Sequence, residues 1–325
     1  MKIKWTRGNN SLKSIGSTVS TLLWFLFLAV AATAQGQFTY TTNTDNTLTI
    51  TGYTGSGGAV TIPTNINGLT VRSIGYYAFS ETAVTSVTIP GSLSIEDYAF
   101  DDSEFLTNAT IQYGVAGISD FAFAGCSNLS SVAIPRSVNS VGYGAFVFCE
   151  SLVNVTLPGS VTNVGDYAFF GCSSLTNVTI AKGVSSIAYA MFDYCGNLTG
   201  VFFQGNAPTV TGNSGDGPVF YGNNNVTVYY LPGTTGWSNI FQGVPAVLWN
   251  AQIQYGTASY GLRYNQFGFN IIGTAGIPIV VEACTNLASP IWTPRLNLTL
   301  ITGSFYFSEP QGTNYSIRYY RISFP

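Results

Sequence analysis

The sequence contains no histidine among its 325 residues, and charged residues make up only 8% of it. Without histidine there is no Ser-His-Asp or Cys-His pair for nucleophilic catalysis, and no imidazole to bind a metal ion. Only paired carboxylates or a lysine base would remain for enzyme chemistry. The hydrophobic fraction of 46% excludes a disordered polyelectrolyte. We therefore expect a folded, non-enzymatic protein without a cofactor, whose surface consists mainly of Thr, Ser, Asn and Gly.

Long hydrophobic runs are also scarce, and we find one only near the N-terminus, from Leu22 to Ala32. This run is too short for an ordinary transmembrane helix, and a small-x-small cleavage site ends at Ala34. Four basic residues precede it: Lys2, Lys4, Arg7 and Lys13. We therefore predict a secretory signal peptide over residues 1–34, cleaved after Ala34. The mature chain is expected to be secreted or at the cell surface, without a transmembrane span; an uncleaved N-terminal anchor is the alternative.

Basic residues are few in the rest of the chain. Four of the eleven lie in the predicted signal peptide, which leaves seven against fourteen acidic residues and a net charge of −7. Nucleic-acid binding requires a clustered basic face, so we expect no nucleic-acid partner. Export would place the five cysteines in an oxidising compartment, where disulfides are permitted.

What the sequence does contain is an internal repeat of 23 residues. Four consecutive units run from Asn108 to Thr199, and two less regular units precede them from Ala59 to Thr107. Within a unit, apolar residues alternate with polar ones, as Val178 and Ile180 alternate with Asn177 and Thr179. This alternation is typical of a strand with one buried face. Because one unit cannot bury its own apolar face, we predict that the units stack into a solenoid with a parallel sheet along one side.

Two residue types recur at the phases that such a stack would bury. The phenylalanines are Phe100, Phe123, Phe146, Phe169 and Phe192, and the cysteines are Cys126, Cys149, Cys172 and Cys195. Stacked equivalents form a line with a spacing of about 4.8 Å. A line of thiols does not converge on one metal ion, and parallel side chains do not favour disulfides. Since Ser103 shares the cysteine phase, we expect buried free thiols and no metal site, with a disulfide between neighbours as the alternative.

The segments IGYYAF (Ile74 to Phe79) and GDYAFFGCSSLTNVTIA (Gly165 to Ala181) resemble the bacterial surface leucine-rich repeats of the BspA type. The resemblance covers roughly Ala59 to Thr199. Two units, at Gly144-Ala145-Phe146 and Ala190-Met191-Phe192, lack the first aromatic residue of the pattern. The resemblance implies a leucine-rich-repeat solenoid that binds host, matrix or cell-surface partners.

The remaining chain divides around these repeats. Strand-like alternation predicts an N-terminal cap over residues 35–58, followed by the leucine-rich repeats over residues 59–199. The period fails after Thr199, and we predict a closing cap over residues 200–249. Short β-rich runs separated by turn residues predict a small antiparallel β-sandwich of five or six strands over residues 250–325. The predicted fold class is therefore mainly β, a solenoid followed by a sandwich.

The outward side chains of the stacked strands form the predicted ligand face. Its residues are Ser86, Thr88, Asn108, Thr110, Ser131, Asn154, Thr156, Asn177, Thr179 and Phe202. Hydroxyl and amide groups suit hydrogen bonds to a protein or polysaccharide at the cell surface, although sugar sites usually contain aromatic platforms and this face has none before Phe202. The alternative is a purely structural role, in which these β-forming residues stack well and bind no ligand.

The favoured hypothesis is an interaction or adhesion protein. A carbohydrate-binding accessory protein is the alternative, and an enzyme that uses an acidic cluster is a third hypothesis. The cluster consists of Glu96, Asp97, Asp101, Asp102 and Glu104. The same carboxylates are a candidate calcium site, because hard cations take several carboxylate oxygens, although their spacing matches no calcium loop.

Overall fold

The computed structural model describes residues 36–211, 219–254, 260–263, 266–310 and 318–324. Residues 1–34, where the signal peptide is predicted, lie outside these ranges. The described residues form strands and turns without a helix, arranged as a parallel solenoid followed by antiparallel sheets. The predicted fold class is therefore confirmed. No helix in the described part is long and apolar enough to cross a membrane.

The solenoid and its N-terminal hairpin extend to Leu248. Their strands are β1 (Phe38–Thr42), β2 (Leu48–Tyr53), β3 (Gly58–Thr61), β4 (Asn65–Ile66), β5 (Leu69–Ile74), β6 (Val84–Ile89), β7 (Ser94–Ile95), β8 (Asn108–Ile111), β9 (Gly117–Ile118), β10 (Ser131–Ala133), β11 (Ser140–Val141), β12 (Asn154–Leu157), β13 (Asn163–Val164), β14 (Asn177–Ile180), β15 (Ser186–Ala188), β16 (Gly200–Phe203), β17 (Thr209–Thr211), β18 (Thr227–Tyr230), β19 (Ile240–Phe241) and β20 (Val244–Leu248).

The longer strands of successive repeats form one stack. Parallel pairing joins β3, β6, β8 and β10 in one sheet and β12, β14, β16, β18 and β20 in a second. Asn108 pairs with Ser131 and Asn154 with Asn177, so the register follows the 23-residue period. A second stack of shorter strands runs through β2, β5, β7, β9, β11 and β13, with β15 and β17 paired beyond it. Side chains from both stacks share one hydrophobic core.

A column of phenylalanine rings fills this core. Adjacent centroids lie 4.9 Å apart between Phe100 and Phe123 and 5.3 Å apart between Phe123 and Phe146, with nearly parallel planes. All five predicted members of the column are fully buried. At the N-terminal end, Tyr53 stacks on Phe79 at 5.4 Å, which covers the first ring. Period-matched stacking therefore gives every repeat the same apolar contact.

The C-terminal domain is antiparallel. Its strands are β21 (Ala251–Gln254), β22 (Gly261–Arg263), β23 (Gln266–Gly273), β24 (Ile277–Cys284), β25 (Thr293–Leu300), β26 (Ser304–Pro310) and β27 (Tyr319–Ser323). One sheet contains β21, β22, β23 and β26, and the other has the order β25-β24-β27. Apolar residues of both sheets, including Phe269, Ile279 and Phe307, form a second core.

Candidate functional site

The outward residues of the long-strand stack form a polar, uncharged surface, which we call the polar face. On β8 and β12, the exposed residues Asn108, Thr110, Asn154 and Thr156 alternate with buried apolar residues. Ser131 on β10 is exposed, while Ser86 and Thr88 on β6 are partly exposed. The described structure thus brings seven of the ten predicted face residues into two columns, continued by the half-buried Asn177 and Thr179.

The last residue of the predicted face, Phe202, is buried rather than exposed. Phe202 continues the column of Thr179, but its side chain is fully buried between Tyr229 at 5.0 Å and Phe324 at 4.8 Å, measured between ring centroids. The expectation of an exposed aromatic platform at Phe202 is therefore wrong. The physical reason is that the C-terminal domain packs on this end of the sheet, where the Trp249 indole also donates a hydrogen bond to the Pro278 carbonyl.

A cleft lies where the open polar face meets the C-terminal domain. It has a volume of about 480 Å³, and its walls include Thr179 and Gln204 on one side and Arg321 and Ser323 on the other. The Arg321 guanidinium donates to the Glu282 carboxylate at 2.6 Å and lies 4.5 Å from the centre of the Trp292 ring. The polar face therefore ends at a paired charge.

The repeated cysteines occupy one structural slot. The Sγ of Cys172 donates to the Phe146 carbonyl at 3.2 Å, and Cys126, Cys149 and Cys195 make the equivalent contact. In the same slot, the hydroxyl of Ser103 donates to the Phe79 carbonyl at 2.6 Å, and the amide of Asn223 donates to the Phe192 carbonyl at 2.7 Å. Each slot side chain thus satisfies a buried carbonyl of the preceding repeat.

The thiols of the four repeated cysteines are held in their protonated form. All five cysteines are free and buried. Burial raises the pKa of Cys149 and Cys172 well above the ordinary thiol value, and that of Cys195 to about 12. Since the thiolate is the nucleophile and the metal ligand, these side chains are suited to packing rather than chemistry.

The acidic cluster lies on the turns that follow the short strands. Burial, followed by the charges of Asp102 and Glu81, raises the pKa of Asp101 to about 6. Asp97 Oδ1 accepts a hydrogen bond from the Asp120 amide in the next repeat. In the part of the chain that the structure describes, no three His, Cys, Asp or Glu side chains are grouped so as to hold a metal ion.

A surface that the sequence reasoning missed runs along the same turns, and we call it the aromatic edge. Its first row consists of Tyr76, Tyr77, Tyr98, Phe121, Tyr143, Tyr167 and Tyr189, and its second row of Phe148, Phe170, Tyr194 and Tyr221. Tyr167 and Phe170 join the rows at 5.6 Å. Tyr76 and Tyr221 are more than half exposed.

The first row stays continuous where the repeat pattern lacks its aromatic residue. Tyr143 supplies the ring in the unit with Gly144, and Tyr189 supplies it in the unit with Ala190. A sequence comparison at fixed phase records these units as departures from the pattern. Allowing a shift of one residue would have revealed the row.

Comparisons with known proteins identify the class of this solenoid. The family model of the BspA type leucine rich repeat region matches in six copies, over residues 59–147 and 93–227. These ranges together span just over half of the chain. The chain therefore belongs to the BspA-type leucine-rich-repeat family, whose bacterial members are commonly surface or secreted proteins that mediate interactions and are not typically enzymes.

Solved structures similar to this chain include two bacterial leucine-rich repeat proteins, the first of which agrees with this assignment. A leucine rich repeat protein of T. pallidum is 34% identical, with a TM-score of 0.51, over 55% of this chain and 84% of that one. A leucine-rich repeat protein of Bacteroides ovatus is 22% identical, with a TM-score of 0.47, over 65% of this chain and 66% of that one. No curated protein matches the sequence.

Proposed function

We propose that this chain is a secreted or cell-surface interaction protein that binds a protein or glycan partner through the polar face. The observation that carries the proposal is the uncharged double column, partly exposed on β6 and exposed on β8, β10 and β12, and closed at one end by the C-terminal domain. Hydroxyl and amide groups in a fixed register offer hydrogen-bond donors and acceptors to an extended partner. Because these groups are neutral, binding does not require removing a charged side chain from water. The proposal includes export by the predicted signal peptide and cleavage after Ala34.

The domain boundaries and the absence of enzyme activity belong to the same proposal. Residues 35–58 and 200–249 would cap the repeats of residues 59–199, and residues 250–325 would form the separate sandwich. The buried protonated thiols favour a structural role for the cysteine column. The raised pKa of Asp101 is explained by partial burial and neighbouring carboxylates.

A charge introduced into the polar face tests the proposal. Thr156→Arg on β12 places a long cation among neutral side chains, and we expect it to abolish binding of the full chain to partners found on protein and glycan arrays. Thr162→Arg is the matched control, because Thr162 is exposed in the same repeat but outside the polar face. Equal binding by both variants, or no binding by the native chain, would contradict the proposal.

A further inference from the structure

The aromatic edge places large rings on backbone that favours glycine. Six of its residues have left-handed φ values: Tyr77 (54°), Tyr98 (56°), Phe121 (54°), Phe148 (58°), Tyr167 (61°) and Tyr194 (57°). Bulky residues adopt this conformation at a cost in strain that glycine avoids. Glycine does occupy equivalent places in other repeats, as Gly125, Gly144 and Gly171 show. The fold therefore does not need an aromatic side chain at these positions.

The rings are also kept at the surface where the repeat shifts. Tyr143, Tyr189 and Phe170 each lie one residue before the left-handed position, yet each continues its row at centroid distances of 5.2 to 5.6 Å. Phe148, Tyr194 and Tyr221 are about half exposed or more. Strain combined with exposure points to a role in binding, because residues held in costly conformations concentrate at such sites.

Ring orientation determines what the edge offers to a partner. Neighbouring planes are inclined by 55° between Tyr143 and Tyr167, by 87° between Phe148 and Phe170, and by 77° between Tyr194 and Tyr221, whereas Tyr98 and Phe121 stack at 16°. Inclined neighbours do not cover each other's faces as parallel rings do. The edge therefore presents part-open ring faces together with tyrosine hydroxyl groups, a combination that suits the apolar faces and hydroxyl groups of sugars.

The charges near the edge exclude acidic partners. The Tyr143 amide donates to Asp120 Oδ1 at 2.7 Å, and the Tyr221 amide donates to Asp193 Oδ1 at 2.8 Å, so carboxylates lie along both rows. The cations of the described solenoid lie elsewhere: Arg72 is on β5, while Arg136 and Lys182 follow β10 and β14. Acidic glycans, nucleic acid and anionic lipid would meet a surface of their own sign.

We propose that the aromatic edge binds a neutral, unbranched, β-linked polysaccharide lying along the solenoid axis. Successive turns of a parallel stack advance by about 4.8 Å. One pyranose unit of a β-1,4-linked chain advances by nearly the same length, so consecutive sugars meet equivalent rings. This site is separate from the polar face, and either proposal can fail without the other.

Affinity electrophoresis of the full chain tests the proposal. Native gels containing hydroxyethyl cellulose, glucomannan or xylan serve as neutral probes, and gels containing alginate serve as the acidic comparison. We expect slower migration in at least one neutral polymer and no retardation in alginate. No retardation in any neutral polymer, or equal retardation in alginate, would overturn the proposal.

Glycine substitutions separate binding from folding. The double variant Phe148→Gly with Tyr194→Gly removes two rings at left-handed positions where glycine is unstrained, and we expect roughly tenfold weaker retardation. Tyr113→Ala is the matched control, because Tyr113 is 79% exposed and outside the edge. Unchanged retardation in the double variant, whatever its unfolding midpoint, would show that the rings only stabilise the stack and would overturn the proposal. Ring-dependent co-sedimentation with phosphatidylcholine vesicles, without retardation by sugars, would overturn it in favour of a lipid surface.

Discussion

The solenoid and the C-terminal domain are both built from β strands, yet different interactions hold them together. In the described solenoid, stacked phenylalanines and protonated thiols fill the core. The ion pairs found among the described residues lie in the C-terminal domain, where Glu309 contacts Arg295 and Arg318, and Glu282 contacts Arg321. A repeat places like residues above one another at about 4.8 Å, so a repeated charge would face its own sign. Period-matched stacking therefore favours neutral groups, whereas a non-repeating sandwich can pair opposite charges.

Removing one ring from the middle of the column should produce the largest effect. Phe146→Ala deletes contacts with rings 5.3 Å and 5.2 Å away on either side, and we expect a loss of about 3–5 kcal/mol in the free energy of unfolding. Urea unfolding followed by circular dichroism measures it. Phe105→Ala, which alters a 61% exposed ring of the solenoid, should change stability by less than about 0.5 kcal/mol. A cost for Phe146→Ala as small as that of the control would mean that the column does not hold the stack together.

A charge substitution in the sandwich should have a smaller and more local effect. The Glu309 carboxylate accepts hydrogen bonds from Arg318 at 2.5 Å and from the Tyr320 hydroxyl at 2.6 Å. Glu309→Gln leaves the arginines without their charge partner, and we expect the C-terminal domain to lose about 1.5–3 kcal/mol. Hydrogen exchange should quicken in β24 to β27 and stay unchanged in β8 and β14.

The control for this substitution is Glu282→Gln. Its partner Arg321 has a side chain that is about half exposed, so the loss should stay below about 1 kcal/mol. If Glu309→Gln quickened exchange equally in β8 and β14, the two regions would unfold as one unit. That result would contradict the view that different interactions stabilise the solenoid and the C-terminal domain separately.

The smallest effect is expected in the thiol slot. Cys172→Ser should cost about 1 kcal/mol in the free energy of unfolding, because a hydroxyl at this position can still donate to the Phe146 carbonyl, as Ser103 does to Phe79.

The native thiol also makes stability depend on pH. Burial raises the pKa of Cys172, so the contribution of its protonated form to stability is complete below the unfolded thiol pKa. That contribution is lost as pH rises from about 9 towards the folded value. The serine variant should therefore lose less stability than the native chain between pH 8 and pH 11, measured by urea unfolding. A disulfide between Cys149 and Cys172, detected by mass spectrometry, would contradict the stacking geometry.

The repeat phase predicted much of the solenoid from the sequence. Alternation at Asn177 to Ile180 predicted a strand with one buried face, and the 23-residue spacing predicted its partners on either side. These predictions succeeded because stacking enforces the same environment at each phase. Ser103 identified the slot as one for a small side chain, and its hydrogen bond explains why serine and cysteine exchange there.

Two features could not be predicted from the repeat phase: the burial of Phe202 and the presence of the aromatic edge. Phe202 has the phase of an outward residue, and its burial depends on how a non-repeating domain packs against the stack. Tyr143 and Tyr189 reach the edge from a neighbouring phase, since the left-handed positions of those repeats hold Gly144 and Ala190. Both features depend on contacts between segments rather than on the pattern within one segment.

The slot has a consequence for how such a chain can evolve. Cysteine, serine and asparagine all donate to the phenylalanine carbonyl of the preceding turn, as Cys126, Ser103 and Asn223 do. Duplicating or deleting one whole 23-residue unit leaves every such carbonyl with a donor. The number of turns can therefore change by recombination within the coding sequence, while the two ends retain their existing partners.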